Sequence, residues 1–166
     1  MPESFNWIVE GKLAGAEKPN KQQLHMYKQM GFTSIVCLQE CKLKKSKWET
    51  LTDYDLPDYT VKDVYDAGLE FYHMPVEDMK PPSKEQMDEF IKYVDDPKRV
   101  VLVHCYGGIG RTGCMVTAYL GVKDNICGLE AVERIHNIWR IYIQTYEQLD
   151  AVLDYIDSKH EITNPS

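Results

Sequence analysis

An almost wholly apolar, β-branched run from Arg99 to His104 gives way directly to Cys105-Tyr106-Gly107-Gly108-Ile109-Gly110-Arg111-Thr112-Gly113, and then to Met115, Val116, Ala118, Tyr119 and Leu120. A run of that kind is what a parallel sheet buries on both faces, and the stretch after the glycines reads as a mostly buried helix. Strand, glycine turn and helix in that order point to an α/β fold. The flanking sequence agrees. Asn20, Leu24, Tyr27 and Gly31 describe a capped helix with a glycine stop, feeding a strand at Thr33 to Leu38. Leu69 to Met74 reads as another strand, after which Pro75 and Pro81-Pro82 force a loop. Ser83-Lys84-Glu85-Gln86 opens a helix with a capping box, and Met87, Phe90, Ile91 and Val94 give it one apolar stripe. Two more helices are expected, one through Leu129, Val132, Ile135 and Trp139, the last capped by Thr145 with Leu149, Val152, Leu153 and Ile156 on its inner face. The expected architecture is a mainly parallel central sheet flanked by helices on both sides.

With 166 residues, no internal repeat and no low-complexity stretch, the chain reads as one domain over 1–166, with 161–166 a tail. A net charge of −7 repels nucleic acid and acidic membranes as a mean field, so an anionic ligand needs a local device. Neither a leader nor an apolar run approaching the ~20 residues that cross a bilayer is visible. Five cysteines, at 37, 41, 105, 114 and 127, form an odd set suited to a reducing compartment. The expectation is a cytoplasmic chain, with the nucleus also open to it, and no nucleic-acid or membrane partner. Cys37 and Cys41 have zinc-like spacing but lack a second ligand pair.

The glycine turn is the device. Three glycines in four positions let the backbone curl so that N–H groups point inward, and the following helix adds its positive end. Arg111, six residues after Cys105, offers a planar fork for two oxygens of a tetrahedral dianion. The same surroundings favour thiolate over thiol at Cys105.

These residues resemble the His-Cys-x5-Arg-Ser/Thr signature of cysteine-dependent protein tyrosine phosphatases. Ser4-Phe5-Asn6-Trp7, Gly11-Lys12-Leu13-Ala14-Gly15, Asp78 before Pro81-Pro82, and Thr145-Tyr146-Glu147-Gln148 resemble landmarks of the small atypical dual-specificity members of the VHZ type. The resemblance implies a metal-free, cofactor-free two-step displacement through a cysteinyl-phosphate on Cys105. It implies that the amides of Tyr106, Gly107, Gly108, Ile109, Gly110 and Arg111 bind the phosphoryl oxygens. Asp78 becomes the general acid, with Glu77 beside it as competitor, and His104 orients the loop. Thr112 donates to the sulfur, and Gln144 holds the hydrolytic water, with Gln148 either assisting or only closing a capping box. A phosphorylated protein, phosphotyrosine first and phosphoserine or phosphothreonine second, is the implied substrate. Phosphoinositides, RNA 5′-triphosphates and phosphate binding without turnover are the competing readings; the uncharged loop interior argues against the first two. Residues 41–66 match no family landmark and are read as the pocket rim. Nothing in the sequence fixes an oligomeric state.

Overall fold

The computed structural model describes residues 1–44, 47–49 and 55–163. Five strands form the main sheet: β1 (Asn6–Val9), β2 (Leu13–Ala16), β3 (Ser34–Cys37), β6 (Glu70–His73) and β7 (Val101–His104). Their spatial order is β1-β2-β7-β3-β6, with β1 antiparallel to β2 and every other pair parallel. β4 (Lys42–Lys44) and β5 (Lys47–Glu49) make a separate small hairpin. The helices are α1 (Lys21–Gln29), α2 (Val61–Asp66), α3 (Lys84–Asp95), α4 (Gly110–Lys123), α5 (Gly128–Ile138) and α6 (Tyr146–Thr163).

Strand alternation splits the core in two. Val101 and Val103 of β7 and Val36 of β3 face a cluster built from α3 to α6; Leu102 and Ile35 face the other way, toward Leu24 and Tyr27 of α1 and Val64 of α2. Helices therefore cover both faces of a mostly parallel sheet, as the sequence led one to expect. Asn20, Thr60 and Ser83 each close a full capping box at the heads of α1, α2 and α3.

Leu129 lies outward, 68% exposed, because α5 packs through Gly128, Ala131 and Ile135. The small residues set that face: a Cβ on Gly128 would stand 2.9 Å from the Leu153 side chain. The helix α6 also runs through Thr163, three residues into the stretch read as tail; 164–166 lie outside the described residues. Among the described residues no helix is long and apolar enough to cross a membrane.

Candidate active site

The site sits where β7 passes into α4 at the centre of the sheet. Strand pairing on both sides leaves the β7 terminus open in one direction only, so the chain must turn within Cys105–Ile109 to begin the helix at Gly110. Gly108 makes that turn with φ +75°, and a Cβ there would lie 2.5 Å from the Ala16 carbonyl carbon and 2.6 Å from the Glu17 nitrogen. Only glycine meets both demands. The end of β2 thus backs the loop, and Ser4 fixes that end by accepting a 2.9 Å hydrogen bond from the Glu17 N–H.

Cys105 and Arg111, both almost fully buried, line one pocket of about 220 Å³ together with Asp78, Met79, Tyr106, Gly107, Ile109, Gly110 and Gln144. The structure therefore gathers the expected nucleophile, arginine, acid and glutamine around a single cavity, with the loop residues as its floor. Asp78 Oδ1 approaches Arg111 Nη2 at 3.3 Å and accepts the Met79 N–H at 2.9 Å. Glu77 is exposed and is absent from the pocket lining. His104 lies under the loop, fully buried. Its Nδ1 stands 3.0 Å from the Cys105 carbonyl, which can only accept, so Nδ1 carries the proton. Thr112 is buried, but among the described residues its hydroxyl has no hydrogen-bond partner, so the expected donation to the sulfur is not formed; its Cγ2 is turned toward Gly15.

Two residues that sequence reasoning passed over complete the site. The Asp55 carboxylate, 1% exposed, takes both terminal nitrogens of Arg111, Nη1 at 2.8 Å and Nη2 at 3.1 Å. Arg111 Nη1 also donates to the Leu38 and Val76 carbonyls. Burial works against the Arg111 charge, but Asp55, Cys105 and Asp78 outweigh it and raise its pKa above the ordinary value. Burial likewise pushes the Asp55 carboxyl up, yet the hydrogen bonds from Arg111 and the Glu40 N–H prevail and hold it below the usual carboxylate range. Tyr59 is the second. Its hydroxyl meets His104 Nε2 at 2.6 Å, and burial keeps it a protonated phenol. Both come from the stretch read as rim; they underpin the pocket instead. No spacing could have flagged them, since their partners lie 56 and 45 residues away.

Gln144 follows Ile143, which takes φ +70°, a left-handed conformation uncommon for a β-branched residue. The chain thus reaches Gln144 without a proline or glycine, held by the Ile143 N–H on the Ile109 carbonyl at 3.0 Å. Cys37 and Cys114 are core thiols; burial pushes Cys37 up to about 12 and raises Cys114 as well. Cys41 meets His73 Nε2 at 3.5 Å, and among the described residues no group of three or more His, Cys, Asp or Glu could hold a metal ion.

A cysteine at the base of a glycine-rich turn, with an arginine in the same pocket and a carboxylate at the mouth, defines the class of cysteine-dependent tyrosine and dual-specificity phosphatases. Within that class the chain belongs to the family described as Swiss Army Knife protein, DSP-PTPase phosphatase domain (PTP-SAK), whose model matches residues 2–136. It is 28% identical over 116 residues to tyrosine-protein phosphatase cdc-14 of Caenorhabditis elegans, covering 70% of this chain and 16% of that protein. An uncharacterized protein of Methanocaldococcus jannaschii is 31% identical over 98 residues, 57% of this chain and 60% of that one. The alignments thus span less than two thirds of either relative. Among solved structures, Tk-PTP in the active form superposes with TM-score 0.79 at 26% identity, over 95% of this chain and 99% of that one. PTPMT1 in complex with PI(5)P shares the fold, with TM-score 0.79 at 18% identity, over 98% and 100%.

Proposed function

We propose that this phosphatase domain removes phosphate from phosphotyrosine, and also from phosphoserine and phosphothreonine, in protein substrates. Cys105 attacks phosphorus and displaces the alcohol or phenol, to which Asp78 gives a proton; water positioned by Gln144 then cleaves the cysteinyl-phosphate, with Asp78 as base. The amides of residues 106–111 and Arg111 stabilise charge on the equatorial oxygens. With Asp55 on its tip, Arg111 presents its other edge to those oxygens, so the carboxylate orients the fork.

One observation carries the substrate class. Among the described residues lining the pocket Arg111 is the cation, while Lys18 and Lys80 at the margins are paired with Asp58 at 3.2 Å and Glu147 at 3.0 Å. A single phosphate monoester matches that charge; a polyphosphorylated headgroup or RNA 5′-triphosphate calls for more free cations. Exposed Tyr106 and Met79 at the mouth suit the apolar body of an amino-acid side chain. Kinship with the small VHZ-type members is part of the same reading, supported by the place of Ser4 behind the loop. So is a cytoplasmic or nuclear location, supported by the cysteine usage. The test is hydrolysis of phosphotyrosine and phosphothreonine peptides beside a phosphoinositide panel, by wild type and Cys105→Ser. Cys105-dependent turnover of the peptides is expected; turnover of the lipids alone would replace the substrate, and equal rates in the two proteins would remove the mechanism.

A further inference from the structure

Gln148 is 0% exposed and lies in the first turn of α6, beyond the segment that the family model covers. Its Oε1 accepts the backbone N–H groups of Gln144 at 2.9 Å and Thr145 at 3.1 Å, and its own N–H bonds the Thr145 hydroxyl at 3.1 Å. That is a capping box, the structural alternative the sequence left open. A capping box, however, uses only the side-chain oxygen. With two N–H donors on one atom that atom must be the oxygen, so Nε2 is the end that faces the Lys80 carbonyl, 3.1 Å away.

Lys80 stands two residues after Asp78, across the tight turn that Met79 makes at φ +68°. One buried amide therefore ties the acid loop to the segment carrying Gln144. It does so against the phosphate loop itself, because a Cβ on Gly110 would meet Gln148 Nε2 at 2.9 Å and Oε1 at 3.0 Å. Among the described residues two further ties between this loop and the head of α6 are weaker: Thr145 Oγ1 reaches the Met79 carbonyl at 3.4 Å, and the Lys80–Glu147 pair is half exposed on both sides.

Resting on the reading of Cys105 as nucleophile and Asp78 as acid, we propose that Gln148 is a positioning residue that latches the acid loop and thereby sets the reach of the Asp78 carboxyl. It governs protonation of the leaving group and leaves phosphate binding alone. Since kcat/KM reports steps through cysteinyl-phosphate formation, any effect on water held by Gln144 drops out of it.

The deciding experiment is kcat/KM for aryl phosphates of graded leaving-group acidity, with wild type, Gln148→Met, Asp78→Ala and the double variant. Gln148→Met is expected to lose about 10- to 100-fold with the poorest leaving groups, little with the best, and nothing further in the Asp78→Ala background. An equal loss across the series, or an undiminished loss in that background, would overturn the latch. Gln148→Glu supplies a second route should the methionine variant not fold. Its ionised carboxylate keeps the Gln144 and Thr145 N–H bonds but cannot donate to Lys80, so above about pH 7 it should show the same leaving-group-dependent loss; a loss equal across the series would overturn the proposal. Absence of Cys105-dependent turnover in the wild type would instead bring down the reading beneath it.

Discussion

Asp55 grips the tip of the Arg111 guanidinium with both carboxylate oxygens although 56 residues separate the two in sequence. Both side chains are 2% exposed, so neither charge has water to fall back on. Removing one partner of a buried pair strands the other, at about 3–5 kcal/mol. Asp55→Ala should therefore lower Tm by roughly 10 °C for a chain of this size, and cut turnover because the fork loses its bearing. Circular dichroism melts beside an aryl phosphate assay check both.

The same pair makes a pH prediction. The folded Asp55 carboxyl titrates below its ordinary 3.8, so its contribution is fully present above that value and is lost as pH falls through the depressed folded value. Chemical denaturation as a function of pH should show Asp55→Asn with a flatter acid limb than wild type below about pH 4. Identical limbs would contradict the ion pair.

Tyr59→Phe removes the hydroxyl that satisfies His104 Nε2 inside the core. A buried nitrogen left unpaired costs about 1–3 kcal/mol, and the imidazole that holds the Cys105 carbonyl loses its anchor. Expected are a lower denaturation midpoint and slower hydrolysis of good and poor leaving groups alike, since the damage falls on the phosphate loop.

Asp78 and Glu77 part ways in the structure. Asp78→Ala should slow poor leaving groups by about 10²–10⁴-fold and the best ones far less, whereas Glu77→Ala should leave the series unchanged. The reverse pattern in a leaving-group plot would reassign the acid.

The thiols should separate by chemistry. Cys127 is exposed and should label with iodoacetamide in the native protein; Cys37, pushed up to about 12 by burial, and Cys114, raised for the same reason, should label only after denaturation. Peptide mass mapping reads the outcome.

What the chain's sequence made legible follows from how local each signal is. β7, α3 and the nest before α4 are written in contiguous residues: an apolar run, a capping box with a periodic stripe, a cluster of glycines. β2 was passed over because Leu13-Ala14-Gly15-Ala16 has no alternation to see; its smallness answers to a neighbour, since a Cβ on Gly15 would stand 2.9 Å from Thr112 Cγ2. Apolar character marks a core position only when a partner helix stands on that side, and Leu129 is exposed because the small Gly128 and Ala131 drew α5 in on another. Cys105 at the turn and Arg111 and Thr112 at the head of α4 lie close in the chain and announce themselves together. Asp55 and Tyr59 act through partners that only the folded sheet brings near, and nothing next to them in the chain marks either.

Gly108 ties the loop to the strand end behind it. A methyl group there would collide with the Ala16 carbonyl carbon at 2.5 Å and would need a left-handed backbone as well. The nine residues from Cys105 to Gly113 are thus a key cut for one lock. Transplanted onto another strand and helix, they would carry the lettering of the motif without its curvature, which this chain's own opening hairpin moulds from behind.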